Sequence, residues 1–577
     1  MIHLKINNID LVVEENTTIL NAAKACNIKI PTLCYYPDLN IKSDCRICVV
    51  EIVGQKGLVP SCSTIVREGM EIKTNSPRVL NARRTITELL LSNHDANCTA
   101  CVKNMNCELQ SLANKLGIDQ NRFPSVLERH PIDDNNPAIV RNPNRCIKCG
   151  RCIDVCKNIQ GMNVLENMNR GHDMVITPAY GKYLSDDLCV FCGQCASVCP
   201  VAAITEKDET DHVWKELHDP NKHVIVQIAP AIRVSLGEEI GKKPGSIVTG
   251  KIVSALRLLG FDRVFDTDFT ADLTIIEEGN ELIHRITTGG ILPMMTSCCP
   301  GWISFVEQRY PEIIDHISTC KSPQQMFGAL AKSYYAKKEN IDLDNLVVVS
   351  IMPCTAKKYE AKRSEMSVDG KHQDVDIVLT TRELGKMIRQ MGIDFESLPE
   401  EDFDNPFGIT TGAAAIFGAT GGVMEAALRT VSEIVNQKPL ENINFTEVRG
   451  LQGIKEAEVT LGDAKIKVAV AHTLANAKQL AEQVKNKTSP YTFIEIMTCP
   501  GGCIGGGGQS YGTTNSIRQQ RIDATYHVDE TLTIRKSHEN PAIQSIYNDF
   551  LEKPLSKVSH KLLHTHYHSR KNSEGSN

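Results

Sequence analysis

The sequence predicts a multidomain chain that joins small α+β domains to one large α/β domain. Three observations lead to this fold class. The chain has 577 residues, which corresponds to about four domains at roughly 150 residues each. Its 22 cysteines are clustered: residues 1–107 hold eight, residues 146–199 hold eight, and residues 200–297 hold none. In the second half, apolar strand-like runs alternate with helical stretches, as in α/β domains.

Composition and charge exclude several classes of protein. Hydrophobic residues make up 41% and charged residues 23% of the chain, which is typical of globular proteins. The formal net charge is −6 and no basic block is present, so we expect no nucleic acid partner. No run of 18 apolar residues predicts a membrane span. The first residues lack the pattern of a signal peptide, so we expect a cytoplasmic protein. Cysteines in that reducing compartment indicate metal or redox sites and not disulfides.

The first cysteine group follows a short β-rich segment. Residues 4–13 have strand-like spacing around a predicted turn at Asn7-Asn8, and Thr18–Cys26 has helical spacing. Four cysteines then suit a 2Fe–2S cluster, which needs four thiolates: Cys34, Cys45, Cys48 and Cys62. Zinc is the alternative, although its four-cysteine sites usually combine two short pairs. Cys26 lies on the apolar helix face, where we expect a buried structural thiol.

The second group contains three cysteines and a histidine. A helix predicted over residues 79–92 is followed by His94, Cys98, Cys101 and Cys107. Because three cysteines cannot supply four ligands, we expect the nearby imidazole to complete a 4Fe–4S site. An imidazole in place of a thiolate changes the charge of a cluster and raises its potential in known cases.

The third group is an internal repeat of a Cys-x2-Cys-x2-Cys-x3-Cys motif. In two-cluster ferredoxins the fourth cysteine of each copy binds the other cluster. One 4Fe–4S cluster should therefore use Cys146, Cys149, Cys152 and Cys199, and the other should use Cys189, Cys192, Cys195 and Cys156. Neither zinc nor disulfides would account for this repeat in a cytoplasmic chain. Four clusters in a row would conduct single electrons but would not act on a substrate.

The remaining cysteines follow predicted strands. Strand-like runs at residues 291–296, 346–352 and 493–497 each precede a cysteine segment, and a fourth run at residues 223–228 precedes Ala229-Pro230. Open α/β sheets bind ligands at the carboxyl ends of their strands. Four cysteines that are distant in sequence can therefore converge on one buried cofactor: Cys299, Cys354, Cys499 and Cys503. No strand-linked nucleotide motif is present.

The segments 296–302, 352–358 and 495–509 resemble the three signature motifs of the FeFe-hydrogenases. The resemblance covers essentially the whole chain and is closest in type to clostridial monomeric enzymes with four accessory clusters. The N-terminal part also resembles the large peripheral-arm subunit of complex I and the catalytic subunits of NAD(P)-linked hydrogenases. This resemblance implies four domains: a β-grasp 2Fe–2S domain (1–78), a 4Fe–4S domain with one His and three Cys ligands (79–135), a two-cluster ferredoxin-like domain (136–209) and a catalytic H-cluster domain (210–577).

The resemblance also implies a specific active site. The H-cluster of this family is a 4Fe–4S cubane joined through one cysteine to a di-iron unit with CO, cyanide and an azadithiolate bridge. By motif, Cys299, Cys354, Cys499 and Cys503 hold the cubane, and Cys503 bridges to the di-iron unit. Cys298 corresponds to the proton-relay thiol, and Cys320 is expected to be an ordinary buried thiol. The path of protons outward corresponds to Glu278, Ser318, Glu281 and Arg285. Lys357 corresponds to a donor to cyanide, and the pocket walls to Pro230, Gln324, Met352, Met497 and Phe417.

The resemblance implies reversible H2 oxidation and proton reduction, with a ferredoxin or flavodoxin-type carrier and maturase enzymes that build the di-iron unit. One alternative is the catalytic subunit of an NAD(P)-linked complex, which would need flavoprotein partners because no flavin or nicotinamide site is visible. Two further candidate functions are a non-catalytic electron conduit and an H2 sensor or iron–sulfur scaffold. Four histidines lie near the C-terminus, and we expect them to belong to a mobile tail and not to a metal-binding segment: His560, His564, His566 and His568.

Overall fold

A computed structural model describes residues 1–186, 188–462 and 464–570. Its strands are β1 (Ile2–Ile6), β2 (Ile9–Val13), β3 (Val49–Ile52), β4 (Leu58–Pro60), β5 (Met70–Lys73), β6 (Ile139–Arg141), β7 (Glu166–Met168), β8 (Val175–Thr177), β9 (Ile204–Glu206), β10 (His223–Ile228), β11 (Arg263–Asp266), β12 (Met294–Met295), β13 (Leu346–Met352), β14 (Ile377–Thr380), β15 (Ile454–Leu461), β16 (Ala464–His472) and β17 (Phe493–Met497).

The α-helices are α1 (Ile19–Ala25), α2 (Pro77–Ser92), α3 (Glu108–Lys115), α4 (Arg151–Asp154), α5 (Gln194–Val198), α6 (Thr210–Leu217), α7 (Thr249–Leu259), α8 (Thr267–Thr288), α9 (Pro300–Arg309), α10 (Pro323–Leu330), α11 (Ala336–Glu339), α12 (Ala356–Glu360), α13 (Thr381–Met391), α14 (Gly412–Ala415), α15 (Gly422–Asn436), α16 (Leu474–Lys485), α17 (Asn515–Thr531), α18 (Pro541–Ile546) and α19 (Lys557–Leu563). Among the described residues, no helix is both long enough and apolar enough to cross a membrane.

The chain forms two compact units. The first consists of residues 1–158, 163–187 and 198–205, and the second consists of residues 159–162, 188–197 and 206–577. The finer division into four domains remains a prediction. The mixture of small ferredoxin-like parts and a large α/β part confirms the fold class expected from the sequence.

The first unit begins with a mixed sheet of five strands in the order β2-β1-β5-β3-β4. Strands β1 and β2 form the predicted antiparallel hairpin, and both turn residues adopt positive φ angles, 46° at Asn7 and 70° at Asn8. Asparagine tolerates this conformation, which hairpin turns of this type require. Helix α1 begins where the Thr18 side chain accepts a hydrogen bond from the Asn21 N–H, and its apolar face joins the core of the sheet.

The second unit contains two four-stranded sheets. Strands β11-β10-β13-β14 are all parallel, and strands β12-β17-β16-β15 are parallel except for the β15–β16 pair. From β10 the chain continues to β11 on one side, and later elements add β13 and β14 on the other side. The crevice between the ends of β10 and β13 is therefore a switch point, where such sheets bind ligands. The predicted strands at residues 223–228, 346–352 and 493–497 are confirmed.

Two predictions of local structure are wrong. The strand predicted at residues 291–296 is reduced to Met294–Met295, which alone pair with β17. Ile291 and Leu292 are exposed, so their apolar character reflects no buried strand. The histidine-rich segment is not a mobile tail over the described residues, because α19 forms there and buries Leu562 and Leu563 in the main core.

Candidate active site and metal centres

A buried cavity lies beyond the carboxyl ends of the strands in the second unit. Its volume is about 80 Å³. Five cysteines from the three motifs line it: Cys298, Cys299, Cys354, Cys499 and Cys503. The remaining wall includes every pocket residue that the resemblance implied: Pro230, Gln324, Met352, Lys357, Phe417 and Met497. The topology thus brings together side chains that are more than 200 residues apart in sequence.

Each cysteine segment takes its position from a strand or helix terminus. Strand β13 ends two residues before Cys354, and β17 ends two residues before Cys499. Every residue of both strands is buried, so these ends are held firmly in the core. Cys299 directly precedes α9, whose first residue is Pro300, a residue suited to the first turn of a helix.

The four cysteines assigned to the cubane lie close to one another. Burial raises the pKa of the Cys354 thiol to about 12, and the neighbouring Cys299 contributes in the same direction. Burial also raises the pKa of Cys499 and Cys503, and each is raised further by Cys354 and Cys299. Four thiolates in an apolar cavity would repel each other unless metal ions compensated their charge. The donor set therefore fits a 4Fe–4S cubane.

Glycine residues let the loops around the cavity pack backbone against backbone. A Cβ atom added at Gly506 would lie 2.1 Å from the carbonyl oxygen of Pro353, beside Cys354. One added at Gly507 would lie 2.1 Å from the carbonyl oxygen of Cys192. Side chains at these positions would separate the ligand loops.

Lys357 is held at the cavity wall by a buried acid. Its Nζ donates to the carbonyl oxygen of Cys298 at 3.1 Å and to Glu360 Oε2 at 2.9 Å. Burial favours the neutral amine, but the Glu360 carboxylate outweighs this and raises the pKa of Lys357. The side chain therefore remains an ammonium donor. Gln324 donates to the same carboxylate at 3.1 Å, and its own Oε1 atom is buried without a hydrogen-bond partner among the described residues.

The proposed proton-relay residues form a second polar feature. Glu278 and Glu281 lie three residues apart on α8 and therefore share a face of that helix. Neither oxygen of Glu278 has a hydrogen-bond partner within the part of the chain that the structure describes. Burial, reinforced by the nearby Glu281 charge, raises the pKa of Glu278 to about 8. Burial and then Glu278 also raise the pKa of Cys298, so its thiol stays protonated.

The outer end of this feature is closely hydrogen bonded. Ser318 Oγ donates to Glu281 Oε2 at 2.8 Å. Arg285 donates to the other oxygen, Oε1, at 2.6 Å. Glu278 thus lies near both Cys298 and Glu281, and Ser318 and Arg285 contact Glu281 directly, while the passage of protons along these residues remains a prediction.

The first unit brings the first cysteine group together in two pairs. The Sγ atoms of Cys48 and Cys62 are 3.4 Å apart, and the Cys34 N–H donates to Cys45 Sγ at 3.4 Å. The Cys34 charge acts on the pKa of both Cys48 and Cys62, which places the pairs next to each other. Cys26 takes no part and is half-buried, with its Sγ donating to the Ala23 carbonyl at 3.3 Å. The expectation of a buried thiol at Cys26 is met only in part: Cys26 packs against the core of the sheet but is half-buried, because it ends α1 instead of lying within it.

The second group contains a histidine with a free nitrogen. His94 is half-buried, and its Nδ1 atom is buried without a hydrogen-bond partner among the described residues. Burial lowers the pKa of the ring, so it is a neutral imidazole with a lone pair available for metal. Cys101 lies near both Cys98 and Cys107, since it raises the pKa of each after burial.

The repeat is divided between the two units. In the first unit a small cavity of about 20 Å³ is lined by Cys146, Cys149, Cys152 and Cys199. These are the four ligands that the crossed pattern assigns to one cluster. Cys156 also belongs to the first unit, whereas Cys189, Cys192 and Cys195 belong to the second.

Within the second unit, the loop that carries Cys192 packs directly against the active-site loops. Gln194 Nε2 donates to the Gly505 carbonyl at 2.9 Å, and Thr355 Oγ1 donates to the Phe191 carbonyl at 2.7 Å. After burial, the charge of Cys499 is the largest influence that raises the pKa of Cys192. A ligand of one predicted cluster thus lies beside a ligand of the next.

Sequence reasoning missed two residues that support the cavity. Glu360 anchors Lys357, and its position three residues later on α12 could have suggested this role. Glu495 lies within β17 and accepts hydrogen bonds from the N–H groups of Gly421 and Met424, at 2.7 and 2.6 Å. It therefore fixes the start of α15, which follows Phe417 of the cavity wall by five residues. In the sequence, Glu495 is the one acidic residue within an otherwise apolar strand, and this pattern could have suggested its buried role.

Comparison with known families agrees with this geometry. Residues 222–507 match the iron only hydrogenase large subunit, C-terminal domain, and residues 515–570 match the iron hydrogenase small subunit. The N-terminal part matches a 2Fe-2S iron-sulfur cluster binding domain (1–77), the NADH-ubiquinone oxidoreductase-G iron-sulfur binding region (83–122) and the ferredoxin-like domain of NADH-quinone oxidoreductase subunit 3 (136–205). The chain belongs to the iron-only, or FeFe-, hydrogenase family and is an oxidoreductase that acts on H2.

Two relatives span nearly the whole chain. The NADP-reducing hydrogenase subunit HndD of Solidesulfovibrio fructosivorans is 50% identical over 97% of both chains. Iron hydrogenase 1 of Clostridium pasteurianum is 41% identical over 97% of this chain and 99% of its own. A structure of the apo FeFe-hydrogenase HydA1 from Chlamydomonas reinhardtii is 44% identical, with a TM-score of 0.57 over 63% of this chain and 99% of that one. The family resemblance and the classes of cofactor expected from the sequence are confirmed.

Proposed function

We propose that the chain catalyses reversible H2 oxidation at the cavity and passes electrons through one 2Fe–2S and three accessory 4Fe–4S clusters to a ferredoxin-type carrier in the cytoplasm. The convergence of Cys299, Cys354, Cys499 and Cys503 on one buried cavity, in a chain of this family, carries the proposal. The cavity and its thiols distinguish a catalyst from a simple electron conduit. When bound, the H-cluster supplies an open iron site and an amine base for heterolytic cleavage of H2.

The residues of the chain prepare this site for protons. Cys298 presents a protonated thiol to the cavity, because burial and Glu278 raise its pKa. Lys357 places a permanent cation in the wall, and Glu360 fixes its direction. The apolar side chains Met352, Met497 and Phe417 exclude water, so proton exchange is confined to the thiol.

Protons then leave by a sequence of side chains. Cys298 gives its proton to Glu278, whose pKa of about 8 lets the carboxyl accept and release a proton near neutral pH. The unpartnered oxygens of Glu278 are free to turn toward Ser318. Ser318 in turn donates to Glu281 at 2.8 Å. Arg285 orients Glu281 from the opposite oxygen.

Electrons take a different route. The loop with Cys189, Cys192 and Cys195 packs against the loops of Cys354 and Cys499, so a cluster that these three cysteines would help to hold would lie beside a cubane held by the other loops. The ligands proposed for the remaining sites, including the site with His94, belong to the first unit. One-electron carriers suit such a series of clusters.

A second candidate function is the catalytic subunit of an NADP-linked complex. The 50% identity over 97% of the NADP-reducing hydrogenase subunit favours it. Such a complex would need flavoprotein partners to convert single electrons into two-electron reduction of NADP⁺. Matured chain should reduce ferredoxin with H2 alone if the first candidate holds. If it reduces no ferredoxin, but reduces NADP⁺ after co-purified flavoprotein subunits are added, the second candidate holds.

The proposed relay is tested by replacing Cys298 with Ser. Serine keeps the size of the side chain but is a much weaker acid than a thiol, so we expect turnover to fall by roughly 10²-fold or more. Cys26→Ser is the matched control, because Cys26 is not a proposed ligand. Infrared bands of CO and cyanide should persist in both variants. Full turnover in Cys298→Ser with intact bands would contradict the relay.

A further inference from the structure

A buried polar cluster connects Glu281 to the C-terminal helix α19. Thr319 Oγ1 lies 3.3 Å from Glu281 Oε2 and 2.8 Å from His564 Nδ1. His564 Nε2 lies 3.1 Å from Glu277 Oε2. The His564 side chain is only 1% exposed, so these contacts are its main environment. Thr319, His564 and Glu277 have no role in the proposed path above.

The two oxygens of Glu281 share the Thr319 N–H, which donates to Oε1 at 3.3 Å and to Oε2 at 3.1 Å, but they differ in their side-chain partners. Oε1 accepts hydrogen bonds from Arg285, whereas Oε2 accepts from Ser318 and lies 3.3 Å from the Thr319 hydroxyl oxygen. A guanidinium cannot release a proton near neutral pH, so Arg285 can orient Glu281 but cannot take a proton from it. The outward step from Glu281 therefore requires another acceptor. Oε2 already carries the incoming hydrogen bond, and it also faces Thr319.

Glu277 sets the state of the His564 ring. Its carboxylate accepts hydrogen bonds from the Tyr547 hydroxyl at 2.5 Å, from the Leu555 N–H at 3.0 Å and from the Ser559 hydroxyl. Burial favours the neutral acid, but these bonds and His564 outweigh it and lower the pKa of Glu277. An ionised carboxylate only accepts, so Nε2 of His564 must carry the hydrogen that it donates. In the neutral ring Nδ1 is then a free acceptor, and it faces the Thr319 hydroxyl.

We propose that Thr319 and His564 form a proton station beside Glu281, which deepens the proposed path and rests on it. A protonated Glu281 donates its proton from Oε2 to Thr319 Oγ1, while the hydroxyl proton of Thr319 moves to Nδ1 of His564. The products are a Glu281 carboxylate, an unchanged threonine hydroxyl and an imidazolium paired with Glu277. The step moves one proton, requires no electrons and reverses during H2 evolution.

The surroundings of the ring suit a temporary proton. Glu277 and Glu281 face it with carboxylates, and Cys320 contributes a thiol that lies within the same buried group. The His560 ring stacks on it at 4.7 Å between centroids with an interplanar angle of 1°, and His566 lies 6.5 Å from His560. His560 and His566 are exposed. Burial, and then His564 and His566, lower the pKa of His560, so the stacked ring stays neutral and adds no charge beside His564.

The proposed station removes the proton from Glu281 before the next proton arrives. Oxidation of one H2 molecule sends two protons along the same path, and Glu281 can pass the second only after it has released the first. Without Thr319 or His564, Glu281 should therefore remain protonated for longer. A longer-lived protonated Glu281 is expected only if Thr319 and His564 take up its proton, and not if they only pack against α8.

The test uses the matured full chain and four variants. Thr319→Val removes the hydroxyl but keeps the branched shape, and Thr319→Ser restores the hydroxyl. His564→Gln removes the acceptor ring, and Thr525→Val is a matched control, since this buried hydroxyl donates to a carbonyl of its own helix. We expect turnover to fall roughly tenfold and the solvent isotope effect to rise in Thr319→Val and His564→Gln. Thr319→Ser and Thr525→Val should stay within about twofold of the original chain.

A second measurement does not depend on turnover. Infrared difference spectra should show a stronger protonated-carboxyl band in Thr319→Val than in Thr319→Ser, and this excess should vanish when Glu281→Gln is combined with Thr319→Val. Equal bands and equal isotope effects in Thr319→Val and Thr319→Ser would overturn the station. If Cys298→Ser is inactive while Thr319→Val is unaffected, the proposed path stands and the station falls. If both variants are fully active, the path itself fails.

Discussion

Replacing Glu278 with Gln removes the titratable carboxyl that the proposed path places between Cys298 and Ser318. The amide keeps the shape of the side chain but cannot gain or lose a proton near neutral pH. A positioned proton-transfer group contributes about 10²–10⁴-fold to a rate, which corresponds to ~3–5 kcal/mol of activation free energy. We therefore expect turnover to fall by this range, while the CO and cyanide bands of the H-cluster keep their positions.

The same variant should change how stability depends on pH. Burial and Glu281 raise the pKa of Glu278 from 4.5 to about 8. A raised pKa favours the protonated acid in the folded chain, so its contribution to stability is fully present below pH 4.5 and is lost as the pH rises through 8. The difference of about 3.5 pKa units corresponds to ~5 kcal/mol. Because glutamine does not ionise, Glu278→Gln should unfold at a higher temperature than the original chain at pH 8–9, and the gap should narrow toward pH 5.

The assay combines turnover, infrared spectra and the apparent unfolding temperature from pH 5 to pH 9. Glu447→Gln is the control, because Glu447 is exposed and does not line the cavity. Turnover within twofold of the original chain, with the bands intact, would refute the proton-transfer role of Glu278. A stability difference that does not vary with pH would refute the burial argument.

Three further predictions concern the metal centres and the cavity wall. His94→Cys exchanges a neutral ligand for a thiolate, so the reduction potential of that 4Fe–4S cluster should fall in a redox titration followed by electron paramagnetic resonance. Gly506→Ala places a Cβ atom 2.1 Å from the Pro353 carbonyl, so the iron content and the CO and cyanide bands should be reduced. Glu360→Gln weakens the anchor of Lys357, so the cyanide bands should shift while iron content stays the same.

Each of these predictions has a clear contrary result. An unchanged potential in His94→Cys, with a full complement of iron, would show that the imidazole is not a ligand. Gly57→Ala is the control for Gly506→Ala, because a Cβ atom there meets nothing within 4 Å; equal loss of iron in both variants would refute the close-packing argument. Unshifted cyanide bands in Glu360→Gln would show that Lys357 does not depend on this carboxylate.

The sequence could predict the architecture of the site because its signals are local. Three of the four strands that lead into the cavity were predicted with their observed bounds, since buried parallel strands are continuous apolar runs. The predicted strand at residues 291–296 was wrong because its first apolar residues are exposed and do not belong to the sheet. An apolar run alone does not show whether a neighbouring strand covers it.

Contacts across the fold could not be predicted in this way. Nothing in the sequence places His564 beside Thr319, since 245 residues separate them. The histidine spacing near the C-terminus indicated a solvated tail, whereas packing of α19 buries one ring against Glu277. Likewise, the role of Glu360 depends on the direction of its side chain toward Lys357. Motif spacing identifies ligands, but the polar groups that orient them depend on tertiary structure.

The central claim is that the cysteine-lined cavity holds an H-cluster. Infrared spectroscopy of the chain matured with the maturase enzymes tests it directly, because CO and cyanide stretches report the di-iron unit. We predict these bands in the matured chain and their loss in Cys503→Ala, together with iron–sulfur absorption from the accessory clusters in both. A matured chain that contains its iron–sulfur clusters but shows no CO or cyanide bands would contradict the account.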